Sequence, residues 1–517
     1  MTRTAFGAWL AVAVLVTACR QPGTSASLSE ISAAPLGVQF GPTPLGLEVT
    51  KTLTLMNSGR TTLQVDALEL TGTDAARFTV DPAGPLALVD PLTVHVRYTP
   101  TREGLDVAQL TVQSNASNTM SLQIALSGVG IVRDAGTSLL DGGTTPGDAG
   151  TTIPPARDAG FFTDESGCPP TWASGTEATT YQVNPGHTGA QPDDRLTLPL
   201  CQRWRRDLGG WASYAVAAQG LVYVATAGAQ GRQLWALDQY SGATRWGPTS
   251  LGGTYSWLAL ALGDGAVYAL SDSGILVAVD ALTGQQRWIQ QVGRTDSAPT
   301  AVPGGLFVSV QLAVRSLDPA TGATRWSKPV INGDTSSPSV GADLVATSYA
   351  CNQAFGFSLD GASRWHATSS CSGGGGKTTA LHLGRVYTRD SGGNLVLDGA
   401  NGALRGTYSS RFIPAFAGDL AITSAGTATQ GLALANNQVR WTSEAVIAAP
   451  LVVGSHVVLP TGTGLVVLDA VTGVEVDRRP LADIRGTDEQ NLSSPLAGLS
   501  AANGMLFVPA GTALVAY

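Results

Sequence analysis

Lysine is nearly missing from this 517-residue sequence. Lys51, Lys328 and Lys377 are the only three, and the remaining positive charge is arginine. Charged residues of all kinds make up 13%, against about a quarter in an average globular domain. The formal net charge is −8, so no basic face is available to meet phosphates, and nucleic acid is excluded as a partner. Histidine is also scarce: His95, His187, His366, His382 and His456 stand in separate segments. No apolar run approaches the ~20 residues that a membrane-spanning helix needs. No two of the five cysteines are adjacent, and no C-x-x-C or His/Cys cluster suggests a metal site. G-x-S-x-G, H-E-x-x-H, EF-hand and phosphate-loop patterns are all missing. The glycine run Gly373 to Gly376 before Lys377-Thr378-Thr379 lacks the strand–loop–helix setting of a phosphate site and reads as a connector. Neither a catalytic residue nor a cofactor is expected.

Glycine is plentiful, at 63 residues, and hydrophobic residues reach 43%, so the chain is not disordered as a whole. The N-terminus has a short positive region at Arg3 and an apolar run from Ala5 to Val16, the proportions of a signal peptide over residues 1–18. Val16-Thr17-Ala18-Cys19 resembles a bacterial lipobox, which would make Cys19 the lipid-bearing first residue of the mature chain. Arg20 follows it, not the aspartate that retains many lipoproteins in the inner membrane, so an outer-membrane lipoprotein is expected, with residues 19–36 as its tether. Four cysteines then remain, an even number suited to an oxidising compartment. Pairing by proximity gives Cys168–Cys201 and Cys351–Cys371, one of three possible connectivities.

Residues 37–132 read as short alternating strands at about ten-residue spacing. Leu92 to Tyr98, for example, places Val94, Val96 and Tyr98 on one face. This pattern predicts a small β-sandwich. Val38-Gln39-Phe40-Gly41, Met56-Asn57-Ser58-Gly59, Val96-Arg97-Tyr98-Thr99-Pro100 and Leu126-Ser127-Gly128-Val129-Gly130 resemble the ASH/Hydin immunoglobulin-like family, also found as choice-of-anchor D modules. That resemblance implies a structural or adhesive module without catalytic residues. Residues 133–167 repeat Asp-Ala-Gly three times among prolines. Two arginines there face six acidic residues, so half of the net charge sits in a segment that cannot bury enough apolar surface to fold. It reads as a linker.

From Cys201 onward one pattern recurs. Leu234-Trp235-Ala236-Leu237-Asp238 with Gly242 and Arg245-Trp246 is the first clear copy. Later copies carry Asp280 with Trp288, Asp318 with Trp326, Asp360 with Trp365, Asp398 with Gly406 in the tryptophan position, Ala435 in the aspartate position with Trp441, and Asp469 with Asp477 in the tryptophan position. The spacings are 42, 38, 42, 38, 37 and 34 residues, a period that signals four-stranded propeller blades. Each aspartate is expected to cap the turn between the third and fourth strands, and each glycine to supply a positive φ. Each tryptophan is expected to fill the wedge between blades. Ala298-Pro299, Ser337-Pro338, Ala449-Pro450 and Ser494-Pro495 are placed to begin inner strands. The final strands lack an outer partner, while Gln202 to Leu208, with Trp204, forms an Arg-Trp strand without a blade. Joining them gives seven copies plus one composite blade. The fold expected is therefore all-β: a small immunoglobulin-like sandwich followed by an eight-bladed propeller over 168–517.

The repeat resembles the PQQ-like (pyrrolo-quinoline quinone) β-propeller family, which includes quinoprotein dehydrogenases and the assembly lipoprotein BamB. Asn184-Pro185-Gly186-His187-Thr188-Gly189 resembles the entry segment of such proteins, with His187 read as a structural histidine. The dehydrogenases hold their quinone against a vicinal disulfide and a calcium ion, and this chain has no adjacent cysteines. BamB lacks the sandwich and the acidic linker, so the resemblance carries the fold but not an assembly role. The expectation is a monomeric, non-catalytic scaffold that binds an envelope protein or polysaccharide. Its recognition loops are expected around Tyr255-Ser256-Trp257, from Cys351 to Phe355, and from Asp483 to Asn491.

Overall fold

The computed structural model describes residues 29–131, 161–162, 168 and 174–517, apart from short breaks at 35–36, 58, 60, 89, 103, 253–256, 331–335, 350–352, 369–375, 391–392, 487–488 and 490–491. Cys19, Cys351 and Cys371, with the lipid and the second disulfide expected at them, lie outside the described residues, as do the signal peptide and most of the linker.

The N-terminal part is two packed sheets. One orders Ile31–Ala34, Val49–Asn57, Leu92–Tyr98 and Phe78–Asp81; the other orders Gly37–Pro44, Ser121–Ile131, Gly104–Ser114, Leu63–Thr71 and Leu86–Leu88. Period-two alternation puts Leu53, Leu55, Val94, Val96, Leu110, Val112, Ile124 and Leu126 between them. Tyr98 stacks on Phe78 at 4.8 Å, and its hydroxyl donates to the buried carboxylate of Asp106 at 2.8 Å. Arg77 pairs with the same carboxylate at 2.9 Å, so the buried charge is compensated.

The remainder is a ring of eight blades, each of four antiparallel strands; Ala190–Gln191 adds a parallel fifth strand inside blade 7, and Phe161–Phe162 an antiparallel fifth outside blade 8. Blades 1 to 7 occupy 211–250, 258–291, 300–329, 339–367, 377–408, 415–444 and 451–480, each with strand order inner to outer following the sequence. Blade 8 takes Ser500–Ala502, Met505–Ala510 and Ala513–Ala516 from the C-terminal end and Trp204–Asp207 as its outer strand, with Trp204 opposite Ala516 and Asp207 opposite Ala513. The two ends of the repeat region thus close the ring. Cys168 and Cys201 form a disulfide beside this closing strand.

Second strands such as Ala266–Ser271 and Gly305–Val310 are buried along their whole length, while outer strands such as Gln286–Gln291 bury only Trp288. Burial on both faces of most strands is why the sequence has so little charge.

The blade interfaces rest on one repeated device. Asp238 Oδ1 accepts the amides of Tyr240 and Ser241 at 3.1 and 2.9 Å. Asp280, Asp318, Asp398 and Asp469 accept in the same way from the turns that follow them. The turn then presents a glycine at positive φ, 69° at Gly242, 74° at Gly284 and 71° at Gly402. Over each of these glycines lies the indole of the preceding blade's tryptophan, Trp204, Trp246 and Trp365 in turn. A Cβ there would come within 2.7 Å of the ring, so glycine is required twice, by backbone and by contact. Each indole N–H also donates across the interface to the carbonyl after the capping position: Trp204 to Gln239, Trp246 to Ala281, Trp288 to Pro319, Trp326 to Leu359, Trp365 to Gly399 and Trp441 to Ala470, all at 2.8–3.0 Å.

Where the pattern breaks, the structure substitutes. The fourth copy has a shorter turn, so Ser358, not Asp360, stands at the capping position. The Ser358 hydroxyl accepts the Ala362 amide at 2.9 Å, and Asp360 supports the same amide from within the turn at 3.3 Å. Blade 5 has Gly406 where a tryptophan would stand, and in the facing turn of blade 6 Ala433, not Ala435, holds the aspartate position and Asn437 the glycine position. There Arg385 reaches the equivalent carbonyl, Leu434, at 3.4 Å, and Asn437 takes the left-handed conformation at φ 57°. Asp477, in the tryptophan position of blade 7, accepts the Leu200 amide through Oδ2 just ahead of the closing strand.

Candidate functional site

In a propeller the axis and the two faces are the places for function, and here the axis is filled by the chain itself. The segment from Ala178 to Gln191 runs once around the inner edge of the ring. Ala178 bridges to Ala217 of blade 1, and the carbonyl of Thr179 accepts from Leu262 of blade 2 at 2.7 Å. The Thr180 hydroxyl donates to Pro299 O beside blade 3 at 2.9 Å. The carbonyls of Pro185, Gly186, Thr188 and Gly189 accept from Val340, Leu381, Phe416 and Val452, on blades 4 to 7, at 2.7–3.1 Å. Gln191 Nε2 completes the circuit on Ala501 O of blade 8 at 2.9 Å. Every blade therefore holds this plug. Three of its residues, Gln182, Val183 and His187, keep φ between 51° and 65° to follow the tight circle.

His187 is fully buried. Its Nδ1 lies 2.7 Å from Tyr181 O and its Nε2 3.1 Å from both Thr300 Oγ1 and Pro338 O. Burial holds the imidazole below the usual histidine range, against hydrogen bonds to the two carbonyls that act in the opposite direction. Burial also drives the hydroxyls of Tyr181 and Tyr214 well above the ordinary tyrosine range.

Tyr181, Tyr214, Trp257, Phe412, Ile413 and Leu496 share one apolar core, which also takes in residues of blades 5 and 7. Leu496 is stitched between the Tyr214 amide and Leu258 O at 2.8 and 3.0 Å. On the side of blades 3 to 5, hydroxyls bond one another from blade to blade: Ser309 with Thr347, Ser337 with Thr378 and Ser339 with Thr379, at 2.8–3.1 Å.

The connection from blade 7 to blade 8 crosses the opposite mouth. Ile484 bridges to Ala510 of blade 8, and Arg485 donates to Ala212 O of blade 1 at 3.2 Å and lies over the Trp211 ring at 4.3 Å. Burial pulls the Arg485 guanidinium down to about 10. Across the ring, Glu489 accepts the Thr378 amide of blade 5 at 2.6 Å and pairs with Arg389. Blades 1 and 5 are opposite one another, so this connection straps the mouth.

Of the expected recognition loops, Trp257, Gln353, Ala354, Phe355, Ile484, Arg485 and Glu489 are buried, Asp483 and Gly486 are exposed, and residues 255–256, 351–352, 487–488 and 490–491 lie outside the described residues. The surfaces that remain are the rim and faces. Asp280–Arg287, Asp318–Arg325 and Asp398–Arg405 pairs line the rim at 2.7–2.8 Å. Exposed pairs of this kind contribute little stability each. Blades 5, 6 and 7 differ from the rest, because at or beside the start of their outer strands they expose Leu404, Val439, Val474 and Val476. The position of Leu404 and Val439 holds Thr244, Gln286, Thr324 and Ser363 in blades 1 to 4 and Glu475 in blade 7, where Val474 and Val476 flank it.

Among the described residues no group of three or more His, Cys, Asp and Glu could hold a metal ion, and no helix is long and apolar enough to cross a membrane. Sequence reasoning missed the plug, the strap and the role of Asp477. Pro185-Gly186 and Gly189 are the only local signal of the tight path around the axis.

Among solved structures, the chain is similar to quinohemoprotein alcohol dehydrogenase from Comamonas testosteroni, at 14% identity over 66% of this chain and 80% of that one, with a TM-score of 0.51. BamB from Moraxella catarrhalis aligns at 17% identity over 60% and 97%, with a TM-score of 0.47. The computationally designed Ika8 protein aligns at 14% identity over 60% and 97%, with a TM-score of 0.49. Such identities speak to the fold alone. No curated protein matches the sequence. The family described as outer membrane protein assembly factor BamB matches residues 201–356, 272–412 and 313–516, three overlapping passes through the blades. Together these cover well over half of the chain, which belongs to that family.

Proposed function

We propose that this chain is an outer-membrane lipoprotein, anchored through Cys19, whose propeller is a non-catalytic scaffold for another envelope protein. One observation carries the reading: the axis is filled by its own plug, core and strap, while three successive blades expose aliphatic side chains on the rim. Aliphatic groups held in water by rigid strands gain free energy when a partner covers them. The sandwich, an ASH-type module in this reading, and the acidic linker would hold the propeller away from the membrane, and the chain would act as a monomer.

A quinone-dependent dehydrogenase is the second reading, supported by the family's fold. The residues present do not fit that cofactor with its calcium. The described residues offer no metal-ligand cluster, and no cysteines are adjacent.

The test is site-specific photo-crosslinking in envelope membranes, with the crosslinker placed at Val439 or Val474. One shared adduct from both positions, absent when the crosslinker replaces Gln286 or Thr324, supports the scaffold reading. No adduct, or the same adducts from all four positions, rejects it.

A further inference from the structure

Blades 2, 3 and 5 pair the capping aspartate with an arginine seven residues on: Asp280 with Arg287, Asp318 with Arg325 and Asp398 with Arg405. In each, Oδ1 caps the turn and Oδ2 takes the guanidinium. Blade 1 has the same two residues, Asp238 and Arg245, in the same register, because Leu237 faces Thr244 as Val279 faces Gln286. There the pair is broken. Asp238 Oδ1 caps its turn, but Oδ2 is buried with no hydrogen-bond partner, a costly state for a carboxylate. Arg245 turns away, and its Nη2 lies 3.9 Å from Asp74 Oδ2 of the sandwich.

Two further contacts place the sandwich on the same side of blade 1. Arg287 also donates at 3.0 Å to Asp264 O, in the turn between the first two strands of blade 2. The matching turn of blade 1 is Gln219-Gly220, and Gly37 stands beside it: a Cβ there would lie 3.6 Å from Gln219 Nε2. Val107, whose amide donates to Asp74 Oδ2 at 3.0 Å, packs against the apolar core of the propeller. Asp74 gains little from Arg245, since Arg77 and Arg102 already hold it. The docked sandwich thus takes an arginine that it scarcely needs, away from a carboxylate that lacks one. Docked and free arrangements are then closely balanced, and redocking within one chain is intramolecular.

We infer that the turn face of blade 1 is a releasable dock for the chain's own sandwich, latched by Arg245, which pairs with Asp74 when docked and with Asp238 when released. The dock is separate from the rim of blades 5 to 7 and stands whether or not that rim docks a protein.

Small-angle X-ray scattering of the full chain in rising salt tests this. The unaltered chain is expected to be compact at low salt and to show a larger radius of gyration in about 1 M salt, where charges interact over only ~3 Å. Arg245→Gln is expected to be as extended at low salt as the unaltered chain is at high salt. Asp238→Asn keeps an oxygen to cap the turn but removes the competing charge, and is expected to stay compact to higher salt. Melting temperatures show whether each variant folds, and if Arg245→Gln does not, the shift in Asp238→Asn still decides. An unaltered chain that is extended at every salt concentration overturns the inference, as does Arg245→Gln remaining as compact as the unaltered chain. Asp238→Asn opening at the same salt as the unaltered chain would mean a fixed contact without exchange, and overturns it too.

Discussion

Trp288 is one of six indoles doing the same job, so its contribution can be measured against its neighbours. It is buried against the Gly322 turn and donates to Pro319 O, and its loss leaves both a cavity and an orphaned carbonyl. Trp288→Ala should cost roughly 3–5 kcal/mol in chemical denaturation. Gly406→Trp in blade 5 should give no matching gain, because the facing turn has Asn437 where a receiving glycine is needed. His187 makes a pH prediction. Its folded pKa lies below the unfolded value of about 6.5, so the unfolded chain binds the proton more readily. Its contribution is therefore whole above that pH and shrinks as pH falls below it. Thermal melts should show stability declining from pH 7 to pH 5, and His187→Gln should flatten part of that slope. His366 and His382, also lowered by burial, act in the same direction. At this scale the aspartates and tryptophans could be read from the repeat because their partners lie in the next copy, about 40 residues on. Ser358 could not, because a one-residue shortening of the turn moves the cap while leaving an aspartate nearby to mislead.

A blade is the smallest element with a cooperative meaning here, and blade 8 is the one built from distant parts. Its outer strand depends on Trp204–Asp207 staying beside Ala513–Ala516, and the Cys168–Cys201 disulfide fixes the chain just before that strand. The bond closes a loop of sequence separation 33 that contains the whole plug. Reduction, or Cys168→Ser, should lower stability by about 2–4 kcal/mol, read as a lower denaturant midpoint under reductant. An unchanged midpoint would show that the closing strand holds without its staple. The strands themselves were legible from period-two alternation and turn glycines. The plug was not, because its contacts join residues as far apart as Gln191 and Ala501, and no local pattern encodes them.

As a whole, the molecule is a closed ring with its hole filled, and the filling should be separable from the ring. A chain beginning at Arg195 keeps the closing strand and loses the plug. Compared with Cys168→Ser, it should show faster hydrogen exchange at the amides of Ala217, Leu262, Val340, Leu381, Phe416, Val452 and Gly454, which donate to plug carbonyls. Equal protection would mean that the inner strands do not rely on it. The eight-blade count was available from sequence because seven imperfect copies and two unmatched ends leave one way to close. Use of the axis was not, since filling it takes only backbone hydrogen bonds and a few apolar side chains, which look like any other loop.

The disulfide also sets how the molecule would bear tension. A pull on the chain upstream of residue 168 passes through the sulfur bridge to Cys201 and the closing strand, and bypasses residues 169–200 altogether. The plug is thereby kept out of the load path. Strain arriving from the N-terminal side would be taken by the edge of one blade, and the circle of hydrogen bonds at the axis would feel none of it until that edge gave way.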